Sequence, residues 1–260
     1  MLITALLLAG RRPGIDPLAQ HAGVEDKVLI PVAGEPMLSR TARALLDHPA
    51  IVQLVILSQE GEALARHAGT AWLSEDKRVV FETAGDSVSG AVSAAISHRE
   101  GFPFLVATAD DALLDRRKLD AFIEGARVAD LAVALVERRT LLAAYPGSRR
   151  TWLKFRGGAY SGANLFWLGG AKVLPVIDIW RRIEQDRKKG RAVIGAFGPL
   201  MLAAVALRLL SLRQAIARVG RRHGLVARPV VLDIAEACID VDKPDDLVQV
   251  EQILAARESA

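Results

Sequence analysis

Met1-Leu2-Ile3-Thr4-Ala5-Leu6-Leu7-Leu8 runs into Ala9-Gly10-Arg11-Arg12-Pro13-Gly14, continues through Ile15-Asp16-Pro17-Leu18, and reaches Lys27-Val28-Leu29-Ile30-Pro31-Val32-Ala33-Gly34-Glu35-Pro36. A short apolar run without charge is how a central parallel strand reads, because both of its faces are covered. The glycines that follow let backbone N–H groups come close to an anion. Arg11, Arg12 and Lys27 add positive charge where a triphosphate would lie. The stretch predicts a buried first strand ending in a phosphate loop, and with it an α/β fold.

Outward from this segment, strand-like runs recur at Leu54-Val55-Ile56-Leu57, Arg78-Val79-Val80-Phe81, Phe104-Leu105-Val106-Ala107-Thr108 and Leu131-Ala132-Val133-Ala134-Leu135-Val136. Helical spacing fills the gaps at 36–46, 60–67, 87–98 and 117–126, the alternation of a parallel sheet whose ligand lies at the carboxyl ends of its strands. A turn over 154–160 between Trp152-Leu153 and Leu165-Phe166-Trp167 predicts an antiparallel addition. A helix is expected over 173–189. No linker or repeat divides the chain, so a single domain over 1–260 is expected, with a largely helical apolar insertion at about 173–224.

Three loops carry chemistry. Thr108-Ala109-Asp110-Asp111 follows a strand, and its hard carboxylate oxygens suit Mg²⁺. Asp111 also has the place of a helix cap. In Ile239-Asp240-Val241-Asp242-Lys243-Pro244-Asp245-Asp246, alternation puts Asp240 and Asp242 on one face, while Asp245 and Asp246 favour a helix N-terminus after Pro244. Between Glu82 and Val92, Gly85 permits a tight turn, and Ser87 or Ser89 either caps the next helix or helps that helix bind an anion. Lys154 and Arg156 could neutralise a phosphate and Asn164 could both donate to and accept from a hydroxyl, or all three simply dress an ordinary charged surface hairpin. The five histidines show no metal or nucleophile spacing.

Leu8-Ala9-Gly10, the basic loop, the lysine before an apolar triplet, and Gly34-Glu35-Pro36-Met37 resemble the opening of the MobA-like nucleotidyltransferases, which include molybdenum cofactor guanylyltransferase and sugar- and polyol-phosphate cytidylyltransferases. The likeness extends to Leu247. It departs at Arg11, where a second glycine is commoner, in a longer stretch from Gly14 to Lys27, and at Ala112 in place of proline. The resemblance implies a three-layer, Rossmann-like, mainly parallel mixed sheet of the GT-A-like kind. It implies Mg²⁺-dependent transfer of a nucleoside monophosphate from a nucleoside triphosphate to a phosphorylated small-molecule or lipid-precursor acceptor, releasing pyrophosphate. Leu8, Ala9, Gly10, Gly85 and Ser89 would then hold the nucleotide, and Arg11, Arg12 and Lys27 would stabilise phosphate charge. Asp110 and Asp242 would take the metal with Asp240 in support. Lys154, Arg156, Gly162 and Asn164 would meet the acceptor. The donor base, CTP or GTP, stays open.

Composition bounds the rest. With 260 residues, 51% of them hydrophobic, the chain can bury one large core. Its 34 basic and 30 acidic residues leave a net charge of only +4, and no nucleic-acid-binding signature accompanies them. Cys238 is the single cysteine, which precludes an internal disulfide and fits a reducing cytoplasm. The apolar N-terminus has its arginines after it and no basic leader, so it is not read as an export signal. Within the stretch 192–219 the charge-free run from Ala192 to Leu207 is ended by Arg208, short of the roughly 20 residues of a bilayer span. It reads as a core or subunit-packing helix, the latter making a homodimer. The alternative is contact with a membrane surface, favoured by Arg181-Arg182, Arg187-Lys188-Lys189 and Arg221-Arg222. A nucleotide-sugar-dependent glycosyltransferase and a catalytically silent nucleotide-binding or membrane-peripheral protein are the competing readings. A dinucleotide-binding oxidoreductase is disfavoured because Gly-x-Gly-x-x-Gly is absent after the first strand.

Overall fold

The computed structural model describes residues 1–11, 14, 16–85, 87–99, 101–186, 195 and 197–259. In chain order the elements are β1 (Ile3–Leu8), α1 (Pro17–Ala22), β2 (Pro31–Val32), β3 (Glu35–Pro36), α2 (Met37–Leu46), β4 (Ile51–Ser58), α3 (Gly61–Arg66), β5 (Val79–Thr83), α4 (Val88–Ser97) and β6 (Phe104–Thr108). They continue with α5 (Arg116–Ala126), β7 (Leu131–Glu137), α6 (Arg138–Ala144), β8 (Leu153–Phe155), β9 (Gly158–Leu168), α7 (Leu174–Asp186), α8 (Pro199–Ala206), α9 (Leu212–Arg222), β10 (Ala227–Leu232) and α10 (Pro244–Glu258). The chain forms two compact units: Met1–Ala84 with Leu105–Asp120 and Ile239–Ala260, and Gly85–Phe104 with Ala121–Cys238.

In the first unit the strands lie in the order β6-β1-β4-β5. The β1–β4 and β4–β5 pairs are parallel. Ile3, Ala5, Leu6 and Leu7 are fully buried, as expected of a strand with neighbours on both sides. The loop after β1 therefore leaves from the interior of the sheet. Helix α2 turns Met37, Leu38, Ala42 and Leu45 into the core on the 3.6-residue period. Ala33 and Gly34, with φ of 47° and 81°, form the two-residue turn joining β2 to β3. The segment before Lys27 is not one long loop. Asp16 caps the Leu18 and Ala19 amides, Pro17 opens α1, and Gly23 at φ 70° closes it.

In the second unit β10 pairs in parallel with β7, while β9 runs antiparallel to both β7 and β8. The expected hairpin is present but tighter than its sequence suggested: only Arg156 and Gly157 separate the strands, so Lys154 lies in β8 and Tyr160 in β9. β10 was not legible, because Arg228 and Pro229 interrupt its apolar pattern. A proline is tolerated at an edge, and β10 ends the strand order. The stretch 192–219 is not one helix: α8 stops at Ala206, and α9 restarts behind a Ser211–Gln214 capping box. Residues 192–194 and the basic cluster 187–189 lie outside the described residues. No helix among the described residues is long and apolar enough to cross a membrane.

Candidate active site

The first unit gathers three of the expected residues at one point. The Lys27 ammonium donates to Asp110 Oδ2 at 3.0 Å and to Asp242 Oδ1 at 2.6 Å. Each arrives by a different local device. Asp26 caps the short 3₁₀ turn that carries Lys27, accepting from the Val28 amide at 3.2 Å. Asp110 follows β6, and the Thr108 hydroxyl donates to its Oδ1 at 2.5 Å. The Val241 amide donates to the Asp110 carbonyl at 3.1 Å, which sets Asp242 beside the same loop. Asp246, in the first turn of α10, then accepts from the Asp242 amide. Burial alone would lower the Lys27 pKa, but the Asp110 and Asp242 carboxylates outweigh it and hold it above the ordinary lysine value.

Behind this centre lies a buried ion pair that the sequence did not suggest. Asp111 does not cap α5; Asp115 accepts from the Lys118 amide in that role. Instead Asp111 Oδ1 faces the fully buried Lys118 ammonium at 3.4 Å, and its Oδ2 has no hydrogen-bond partner among the described residues. Burial pushes the Asp111 pKa up to about 6, Lys118 opposes this, and the charges of Asp110 and Asp240 add to the rise. Asp240 and Asp242 thus act on different groups, Asp240 on Asp111 and Asp242 on Lys27. The buried Thr41 hydroxyl, within hydrogen-bonding distance of the carbonyls of Met37, Ala109 and Asp111, ties α2 to the same loop.

The loop after β1 is less open than a phosphate cradle. Leu8 and Ala9 are held in the sheet: the Leu8 carbonyl accepts from Ala109, and the Ala9 amide donates to the Leu57 carbonyl. The Arg11 amide donates to Gln59 Oε1, and the Arg11 guanidinium pairs with Glu60 at 2.5 Å. Gly10 packs beside Gln59, where a Cβ would come within 3.1 Å of the side-chain oxygen. Arg11 remains near the centre, since its charge lowers the pKa of Asp26, the neighbour of Lys27, though burial raises that pKa overall. Gln59 and Glu60 escaped the sequence reading; their signal was their place directly after β4, beside β1. Arg12 lies outside the described residues.

In the second unit the helix cap and the anion site are filled from within. Ser87 caps α4 by accepting from the Gly90 amide. The Glu184 carboxylate of α7 accepts from the Val88 and Ser89 amides at 3.0 and 3.1 Å and from the Ser89 hydroxyl at 2.5 Å. Ser89 is fully buried. Gly85 has no positive φ, and a Cβ there would meet nothing within 4 Å, so the turn does not require glycine.

The acceptor candidates separate into two places. Gly162 is exposed and Asn164 half-exposed on β9. Asn164 takes a left-handed φ of 52° where the β7–β9 register slips between Val133 and Leu135, a bulge that asparagine tolerates well. Lys154 and Arg156 belong to the hairpin end. Arg156 bonds the Leu210 carbonyl at 2.8 Å and Gln214 at 3.0 Å. Gly158, opposite Phe155, precedes Gly162 by four residues, roughly 13 Å of strand.

Two carboxylates drawn onto one cation fit a divalent metal in their chemistry: hard oxygens in the small number Mg²⁺ takes from a protein when phosphates supply the rest. Among the described residues no group of three or more His, Cys, Asp and Glu gathers as a metal site. A nucleotidyltransferase domain of the α/β class is what the family comparison finds in this chain. The chain belongs to the MobA-like NTP transferase domain family, whose model matches residues 6–223. That match ends before Asp242, whose place in the centre rests on its contact with Lys27.

Solved structures agree. A hypothetical transferase from Thermus thermophilus is 27% identical over 95% of this chain and 100% of its own, with a TM-score of 0.77. CMP:2-keto-3-deoxy-manno-octonic acid synthetase, solved with CTP, is 11% identical over 99% and 100% of the two chains, with a TM-score of 0.62. The 2-C-methyl-D-erythritol 4-phosphate cytidylyltransferase from Thermus thermophilus is 14% identical over 98% and 100%, with a TM-score of 0.53. The last two share the fold. No protein of curated function matches the sequence.

Proposed function

We propose that the chain, acting as one transferase domain, moves a nucleoside monophosphate from a nucleoside triphosphate to a phosphorylated small molecule or lipid precursor. The observation that carries this reading is the Lys27 ammonium held between Asp110 and Asp242. An acceptor phosphate oxygen attacks the α-phosphorus, a new P–O bond forms, the α–β phosphoanhydride breaks, and pyrophosphate leaves with its electron pair. The protein's work is placement and charge neutralisation. Asp110 and Asp242 would hold Mg²⁺, which neutralises phosphate charge and polarises the α-phosphoryl group when bound. Lys27 and Arg11 turn their charge toward the phosphates, and Leu8, Ala9 and Gly10 form the floor beneath them. Gly162 and Asn164 meet a sugar or polyol hydroxyl at the bulge of β9.

Two fold neighbours act with cytidine nucleotides by their names, so CTP is the first donor to test and GTP the second. The test is pyrophosphate release with each donor against a panel of phosphorylated sugars and polyols, using wild type and Asp110→Asn. One donor–acceptor pair should release pyrophosphate, with a loss of at least about 100-fold in the variant. Equal release by both proteins would refute the assignment.

A further inference from the structure

We propose that the surface formed by α8 and α9 docks on an anionic phospholipid bilayer. Between Asp186 and Asp233 the chain carries ten of its 34 basic residues and none of its 30 acidic ones. The remainder of the protein is therefore net negative, and the positive charge is concentrated in one stretch. Within it lies Pro199-Leu200-Met201-Leu202-Ala203-Ala204-Val205-Ala206, a helix without a polar side chain and without a buried residue. Leu200 is 86% exposed, and the residues that follow continue the surface, with Leu207 at 69% and Leu209 at 58%.

Arginines frame this apolar helix. A groove of about 280 Å³ between the two helices is lined by Phe197, Leu200 and Met201 on one side and Arg218 and Arg222 on the other. Arg208, Arg213 and Arg221 are exposed nearby. Exposed leucines beside arginines that no acidic residue of the same stretch offsets are the composition of an interfacial helix: the apolar side chains enter the acyl boundary and the guanidinium groups meet lipid phosphates. A second copy of the chain would bring like charges together. α8 supplies the apolar surface, and the amphipathic α9, which buries Leu212 and Ala215 and exposes Arg213, Arg218, Arg221 and Arg222, supplies the charged one that a bilayer boundary requires beside it.

The test is co-sedimentation of the full chain with vesicles of phosphatidylcholine alone and of phosphatidylcholine with phosphatidylglycerol. Binding should need phosphatidylglycerol and weaken as salt rises. Arg218→Glu with Arg222→Glu should weaken it by at least about 20-fold, from about fivefold for each charge removed. Leu200→Glu, at an exposed position, should weaken it comparably, with an unchanged melting temperature showing that the fold is intact. Equal binding to both vesicle types, no binding to either, or a dimer in sedimentation velocity that Leu200→Glu dissociates would overturn the proposal. So would binding to nucleic acid in place of vesicles.

Discussion

Lys27 and Asp242 stand 215 residues apart in the chain, yet the lysine nitrogen lies 2.6 Å from the aspartate oxygen. With Asp110 on its other side, the lysine neutralises two carboxylates that would otherwise repel each other. Replacing Lys27 with Met removes the shared cation, and nucleotide transfer should fall by at least about 100-fold. Without nucleotide, Mg²⁺ should raise the melting temperature of Lys27→Met more than that of wild type, because the metal takes the place of the missing ammonium between the carboxylates. An equal Mg²⁺ shift in both proteins would show that the lysine does not hold this pair in solution.

Asp242 is exposed, so Asp242→Asn should leave the melting temperature close to wild type while removing at least about tenfold of the metal-dependent activity. A variant that keeps full activity across a Mg²⁺ titration would remove Asp242 from the site.

The buried Asp111 sets a pH dependence. Its folded-state pKa, about 6, lies above the ordinary value of 3.8, so the folded protein binds this proton more tightly than the unfolded chain does. Its contribution is full below about pH 4 and declines as pH rises through 6, by roughly 3 kcal/mol in all. Urea unfolding of the metal-free protein should show this decline in wild type and lack it in Asp111→Asn. The absolute stability of that variant also falls, because Lys118 loses its buried partner. Parallel pH curves for the two proteins would contradict the assignment.

Glu184 anchors α4 from α7. Glu184→Ala strips acceptors from two amides and from the buried Ser89 hydroxyl, and should cost about 1–2 kcal/mol in chemical denaturation. Glu184→Gln should cost less. A loss below about 0.3 kcal/mol for the alanine variant would mean that water satisfies the helix end equally well.

Asn164 separates fold from acceptor binding. Asn164→Gly keeps the left-handed backbone and should preserve stability while raising the acceptor KM. Asn164→Val should lose about 1–2 kcal/mol, because a branched side chain is strained at that φ.

How much of this was legible follows from particular residues. β1 and β6 were readable because the apolar runs around Leu6 and Leu105 carry no competing helical period, and both residues are fully buried. Asp110 was readable as a carboxylate after a strand, Lys27 as a lysine before an apolar triplet and Asp242 as one of two alternating aspartates before a helix, and a motif resemblance joined them. The Val241–Asp110 hydrogen bond that brings Asp242 to the centre is a tertiary pairing with no local signal. Nor could sequence show that Glu184 takes the amides of Val88 and Ser89, or that Glu60 takes the Arg11 guanidinium. Glu184 lies in an ordinary amphipathic helix and Glu60 in the turn after β4, and neither place marks its partner. β10 was hidden by Pro229, whose tolerance depends on an edge position known only from the fold.

The most direct test of the Lys27–Asp110–Asp242 centre is calorimetric titration of each of the four ribonucleoside triphosphates, with and without Mg²⁺, into wild type and Asp110→Asn. One nucleotide should bind, more tightly with Mg²⁺, and the metal-dependent gain should vanish in the variant. Binding of none of the four, or the same Mg²⁺ gain in both proteins, would contradict a nucleotide and metal site at these residues.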